Sequence, residues 1–321
     1  MPGPRRRFLR ALSGLALAPL VPGRALAGDF EPPDAEARRK ALGSLESLSP
    51  ELQRVFTPGP EDRPTPRPGP SDWLASHDEP GQSFAAFRRG KPNRPGLVRT
   101  KIVLLPLGPL AGAGSPALAT LIDFAGRYFG LDAVARPTLE LHALKARSRD
   151  VGGRRQLHTG DLLDALERRL PAEAYCLIGV TQSDLYPGPA WNFVFGYARL
   201  YARVGVYSFA RYDPAFHGEA RDPDTPRLVL RRGLKLMAHE VGHMFGMEHC
   251  IHYRCVMNGS NNLDETDRSP LRPCPVCLRK LHEVVGFDPV VRERRLADFY
   301  RAQGLVDESA ACERQLARVA G

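Results

Sequence analysis

The sequence His239-Glu-Val-Gly-His243-Met-Phe-Gly246-Met-Glu-His249 places three histidines and two glutamates within eleven residues. Histidines four residues apart on a helix project from the same face, so both imidazoles can reach one metal ion. Gly246 can adopt a left-handed conformation and end the helix, which brings His249 back as a third ligand. Three nitrogen ligands leave the fourth tetrahedral position of a zinc ion open, an arrangement typical of catalytic sites.

Glu240 follows the first histidine and lies about 100° around the helix from it. We therefore expect its carboxylate beside the open position, where it can take a proton from water whose pKa zinc has lowered towards about 7. Asp224-Thr225-Pro226 supports a helix, because it combines a capping residue with a proline at the first helical position. His239 and His243 are expected to lie off the apolar face, which is predicted to contain Leu230, Leu234, Met237, Val241 and Phe245.

Four of the six cysteines form two closely spaced pairs, Cys250-x4-Cys255 and Cys274-x2-Cys277. Four thiolates can close the coordination sphere of one zinc ion, so this spacing predicts a structural metal site. A pair of disulfides is the alternative, although a bond within Cys-x-x-Cys would close a very small loop and add little stability. The other two cysteines have no metal-binding motif around them: Cys176 and Cys312.

These motifs together resemble the archaemetzincins, metzincin proteases with an additional zinc site. The resemblance covers about residues 71–286, and the segments that extend it beyond the metal ligands are 71–73, 179–186, 192–198, 258–268 and 273–280. It implies two zinc ions per chain and Glu240 as the general base. It also implies a Met-turn methionine at Met257. The implied ligands are His239, His243 and His249 for a catalytic zinc, and Cys250, Cys255, Cys274 and Cys277 for a structural zinc.

Alternating strand and helix patterns predict an α/β fold with a largely parallel sheet. The predicted strands are 101–105, 131–135, 175–180, 193–195 and 204–208, and the predicted helices are 115–130, 161–170, 278–285 and one that begins at Asp288. The resemblance implies a metzincin-like single catalytic domain of mixed α and β structure. In such a domain a twisted sheet accompanies an active-site helix and a C-terminal zinc-knuckle subdomain. It further implies that residues 193–198 pair with an extended substrate, and an edge covered by a loop is the alternative.

The chain is predicted to divide into four parts. Residues 1–27 combine an arginine-rich start, a short apolar run and a small-residue cleavage pattern, which predicts a signal peptide of the twin-arginine type. Export to a bacterial periplasm would follow, with a cytoplasmic location as the alternative. Residues 28–99 are a proline-rich extension or linker with one short helix capped by Asp34, 100–288 the catalytic domain and 289–321 a helical tail.

Composition limits the range of partners. The formal net charge is +9, and five arginines of the first 27 residues account for five of these charges, which leaves about +4 for the remainder. We therefore expect no nucleic-acid partner. The apolar run near the N-terminus is too short and too rich in proline for a stable membrane anchor.

The expected function is hydrolysis of a peptide or protein substrate by zinc-activated water with a glutamate base. A catalytically idle binding protein stabilised by zinc is one alternative, and a fourth protein ligand such as His252 would favour it. A zinc hydrolase that acts on a non-peptide substrate is the other, because activated water is chemically indifferent to its target.

Overall fold

The central layer is a sheet of nine strands among the residues that the computed structural model describes, namely 14–16, 30–112 and 114–320. Its order is β3-β2-β6-β9-β8-β7-β5-β4, with β1 also paired to β8. Seven of these nine strands point in one direction, and β4 and β8 point in the other. The strands are β1 (Gly14–Ala16), β2 (Lys101–Pro106), β3 (Asp132–Ala135), β4 (Ser148–Val151), β5 (Arg154–His158), β6 (Ala174–Thr181), β7 (Asp184–Tyr186), β8 (Val194–Arg199) and β9 (Val204–Ser208).

Helices cover both faces of this sheet, so the predicted mixed α/β class is confirmed. The described helices are α1 (Ala35–Leu42), α2 (Pro50–Phe56), α3 (Phe84–Arg89), α4 (Leu118–Phe129), α5 (Thr159–Glu167), α6 (Thr225–Met244), α7 (Leu263–Arg268), α8 (Pro275–Val285), α9 (Pro289–Ala302) and α10 (Val306–Ala320). Within the described ranges, no helix has both the length and the apolar character that a membrane span requires.

Side chains alternate between the two faces of the sheet along its central strands, so each face has its own apolar cluster. Ile102 and Leu104 pack with α4 and α6, whereas Val103 and Leu105 belong to a second apolar cluster that includes α5. Successive side chains of a strand point to opposite faces, so a strand covered on both sides reads as a continuous apolar run. This explains why β2 and β6 could be predicted from the sequence.

The N-terminal extension packs onto the same core as the sheet. Phe56 and Phe87 are fully buried within it, and the backbone of Pro64 pairs with that of Tyr253 near the cysteines. The predicted cap of α1 is present, since Asp34 accepts a hydrogen bond from the Ala37 amide at 2.7 Å. The sequence did not predict α2 and α3, because helices of seven and six residues are too short to show a helical period.

Other elements differ from their predictions. Helix α6 begins at Thr225, so Pro226 is its second residue, and the Asp224 side chain makes no capping hydrogen bond. Asp222 instead accepts from the Thr225 hydroxyl at 2.9 Å. The β4–β5 hairpin was not predicted, and the single tail helix is two helices, α9 and α10. The four domain boundaries stay predictions, and apart from residues 14–16 the leader lies outside the described residues.

Candidate metal centre

Helix α6 carries two histidines whose rings meet edge to face. His239 and His243 are both buried, and their Nε2 atoms are 2.9 Å apart. The predicted apolar residues of the helix belong to the main core, as expected for its core face. The two imidazoles therefore converge on one point, as the four-residue spacing predicts.

The protonation of these two rings can be inferred from their partners. Nδ1 of His239 lies 2.9 Å from the Val256 carbonyl oxygen, and Nδ1 of His243 lies 2.7 Å from the Met247 carbonyl oxygen. A carbonyl oxygen only accepts, so each Nδ1 carries the proton and each Nε2 presents a lone pair. Burial lowers the pKa of His239 to about 3 and that of His243 well below its usual range, which keeps both rings neutral.

His249 completes the cluster from outside the helix. Gly246 has a φ of +88°, the left-handed conformation that we expected to end α6 and turn the chain back. The buried Nε2 of His249 has no hydrogen-bond partner, and candidate ligand atoms of the three histidines lie within 4.8 Å of one another. Two facing lone pairs and an unpartnered third nitrogen fit a cation, because without one the lone pairs would repel each other.

Glu240 is fully buried and neither of its carboxylate oxygens has a hydrogen-bond partner. Burial raises its pKa well above the usual range for a carboxyl group. The Tyr212 hydroxyl is also buried and has no hydrogen-bond partner. Its pKa is raised, mainly by burial and to a smaller extent by the negative charge of Glu240. Glu240 therefore lies one residue from a candidate metal ligand, with no hydrogen-bond partner for its carboxyl group among the described residues.

The four motif cysteines form a second cluster in which the candidate sulfur ligands lie within 4.8 Å of one another. All six cysteines of the chain are free, so the alternative of two disulfides does not describe this structure. Amide groups of the chain point at the cluster: Cys255 Sγ accepts from the amides of Met257 at 3.4 Å and Cys274 at 3.2 Å. Four buried sulfurs with such donors fit a closed zinc site.

The two clusters meet through the loop that leaves α6. The amide of Cys250, directly after His249, donates to the Met257 carbonyl at 2.8 Å. Met257 itself is fully buried, and its sulfur lies 2.5 Å from the position that a Cβ on Gly242 would take. The predicted Met-turn methionine therefore packs directly beneath α6. His252, considered as a fourth ligand, is not part of the described histidine cluster and lies beside Cys250.

Strand β8 lies against the catalytic glutamate predicted from the sequence. A Cβ built on Gly196 would lie 2.6 Å from Glu240 Oε1, so the strand backbone passes directly over this carboxylate. The structure thus brings residues 194–198 of the predicted substrate edge beside Glu240. The prediction of a free edge is wrong for this structure, because β8 lies within the sheet: it pairs with β9 and β7, and β1 pairs with it at Val194 and Tyr197. Pairing of that edge with a substrate stays a prediction.

Two residues near the cluster were not identified from the sequence. Glu79 Oε1 lies 2.6 Å from Nδ1 of His249, and it accepts a hydrogen bond from Trp73 Nε1 at 2.8 Å. The Trp73 ring packs edge to face on His249, with ring centroids 5.1 Å apart. Trp73 was noted only as part of the family resemblance. No spacing pattern could identify Glu79, because 170 residues separate it from its partner.

Comparisons with known proteins agree with this geometry. A model of Peptidase family M54 matches residues 171–283, a range that contains both clusters. Archaemetzincin-2 of Macaca fascicularis is 34% identical over 256 residues, which cover 71% of this chain and 71% of the relative. The chain belongs to the archaemetzincin family. As a member of this family, it is a zinc metallopeptidase.

Two further relatives are similar over different shares of their length. Archaemetzincin-1 of Homo sapiens is 34% identical over 260 residues, which cover 72% of this chain and 52% of that protein. The crystal structure of the archaemetzincin from Methanopyrus kandleri is 34% identical, covers 59% of this chain and 97% of its own, and superposes with a TM-score of 0.45.

Proposed function

We propose that this archaemetzincin hydrolyses peptide bonds with Glu240 as general base and with two zinc ions per chain. One zinc would be held by His239, His243 and His249, and the other by the four clustered cysteines. The observation that carries the proposal is the convergence of three unprotonated or unpartnered imidazole nitrogens next to a buried carboxylate without a partner. A zinc ion bound there would supply a Lewis acid that lowers the pKa of water and polarises a carbonyl group.

The chain's own residues would perform the remaining steps. Glu240 would take the proton of the attacking water and later deliver a proton to the leaving amine. No ion pair competes for its oxygens among the described residues. The backbone of β8 passes over Glu240 at Gly196, and an extended peptide would pair with it there in place of β1, which is paired with Val194 and Tyr197 in this structure.

The test compares wild-type protein with Glu240→Ala and Glu240→Gln. A general base contributes about 10²–10⁴-fold, so we expect kcat/KM on a peptide library to fall by that factor in both variants. Elemental analysis should still find two zinc ions per chain, because Glu240 is not a proposed ligand. The matched control is Glu248→Ala, since Glu248 lies in the same motif but is exposed and should retain full activity.

Other results would contradict the proposal in separable ways. Cleavage that survives both substitutions would reject Glu240 as the base. A metal content other than two would reject the zinc assignment. A wild-type protein that holds both zinc ions but cleaves no peptide would favour a binding protein or a hydrolase of non-peptide substrates.

A further inference from the structure

The three histidines differ in what orients them. His239 and His243 extend from a helix and donate to backbone carbonyl oxygens, so their geometry follows from the fold of the chain. His249 lies in the loop after Gly246, where no helix determines the direction of its ring. Its Nδ1 has a side-chain partner instead, the Glu79 carboxylate at 2.6 Å.

That carboxylate is itself held in place. Glu79 lies in the segment of residues 71–82, and Trp73 Nε1 donates to the same oxygen that contacts His249. The Trp73 ring stacks on His77 with centroids 3.5 Å apart. The Trp73 amide donates to Glu265 at 2.8 Å. An acceptor restrained in this way can determine both the tautomer and the orientation of the imidazole.

The other end of the segment is fixed to the loop that carries His249. Gln82 Nε2 donates to the Gly246 carbonyl oxygen at 3.1 Å, and Gln82 Oε1 accepts from the Glu248 amide at 3.3 Å. Lys280, which is fully buried, donates to the same Oε1 at 3.0 Å. The segment therefore contacts this loop at two points, and Glu79 lies between its anchors.

We propose that Glu79 is a positioning residue for the metal centre: its carboxylate holds His249 with the proton on Nδ1 and with Nε2 directed at the zinc. This inference rests on the proposed zinc at the three histidines. The N-terminal extension would thereby have a function. It supplies the Glu79 side chain that orients His249, whereas backbone carbonyl groups orient His239 and His243. Partners of this kind typically contribute 10–100-fold to metal affinity.

The experiment measures zinc affinity of the full chain by competition with a chelator. We expect Glu79→Ala to weaken zinc at the histidine site by about 10–100-fold. Glu79→Gln, which keeps an acceptor oxygen but loses the charge, should weaken it less. Asp78→Ala is the matched control, because Asp78 is the exposed neighbour of Glu79 in the same segment and should leave affinity unchanged.

Cobalt(II) substitution separates the two sites, since thiolate charge-transfer absorption reports the cysteine site alone. We expect that absorption to be unchanged in both Glu79 variants. Wild-type zinc affinity in a folded Glu79→Ala protein would overturn the proposal. If Glu79→Ala does not fold, Glu79→Gln decides, and unchanged affinity in that variant would overturn it.

These results are independent of peptide hydrolysis. Zinc affinity that depends on Glu79 in a protein without peptidase activity would reject the proposed function and leave this inference standing. An active peptidase whose zinc affinity is unchanged in the Glu79 variants would support the proposed function and reject this inference.

Discussion

Close backbone approach at single glycines shapes the metal centre. Gly196 allows β8 to pass over Glu240, and Gly242 allows Met257 to pack against α6. In both cases a Cβ would lie closer than 3 Å to the neighbouring side chain, a separation that requires something to move. Catalytic geometry is sensitive to such shifts, because a displacement of about 1 Å can cost about 10²-fold in rate.

We predict that Gly196→Ala lowers kcat by about 10²-fold and leaves zinc content unchanged. The added methyl group would displace the Glu240 carboxylate, whose Oε1 lies 2.6 Å from the new Cβ position. Steady-state kinetics and elemental analysis check this result. Gly188→Ala is the matched control, because a Cβ there meets no atom within 4 Å. Wild-type kcat in Gly196→Ala would show that the carboxylate does not need this space.

At the scale of elements, the cysteine cluster joins the end of α6 to the start of α8. Cys250 directly follows His249, whereas Cys274 is the N-cap residue of α8 and Cys277 lies in its first turn. A metal held by these sulfurs would therefore stabilise the loop that carries His249. Structural zinc sites in small motifs contribute about 10–16 kcal/mol of binding free energy at pH 7.

We predict that Cys274→Ser loses one zinc ion per chain and lowers the free energy of unfolding by about 3–5 kcal/mol. Peptidase activity should fall with it, because the loop after α6 would lose its restraint. Elemental analysis and urea unfolding test both effects. Cys312→Ala serves as control, since Cys312 is buried outside the cluster. Retention of two zinc ions by Cys274→Ser would reject the structural site.

Several elements could be predicted because their signals are local. β2, β6 and α6 are long and buried, so their apolar periods are complete within the sequence. The β4–β5 hairpin was missed because five of its nine strand residues are exposed and the two strands contain only two aliphatic side chains, Val151 and Leu157. Helices α2 and α3 depend on packing against the core instead of on a period of their own.

At the scale of the whole molecule, the N-terminal extension closes over the loops of the catalytic domain. Glu265 connects the two, because its carboxylate accepts from the Trp73 amide at 2.8 Å and the Asn261 amide at 2.7 Å. Burial raises the pKa of Glu265 to about 7, although these hydrogen bonds oppose the shift. The folded protein therefore holds a proton here that the unfolded chain releases near pH 4.5.

We predict that this group lowers the free energy of unfolding as pH rises from 4.5 to 7, and that its contribution is constant above that window. Glu265 is partly exposed, so solvent screening limits the effect to about 1–2 kcal/mol. Urea unfolding with saturating zinc at several pH values should show a flatter slope for Glu265→Gln than for wild-type protein. Glu51→Gln, at an exposed position, is the control. Equal slopes in wild-type and Glu265→Gln would contradict this prediction.

The sequence by itself determined the reactive groups of this protein. Three histidines, Glu240 and the paired cysteines could be recognised because their chemistry depends on spacing along a helix or a short loop. Only the tertiary structure decided what surrounds them: Glu79 behind His249, Gly196 over Glu240 and Trp73 beside the metal centre. These contacts join residues separated by tens to hundreds of positions. A period in the local sequence cannot encode such a contact, so only the folded chain determines which side chain lies beside each metal-ligating residue and beside Glu240.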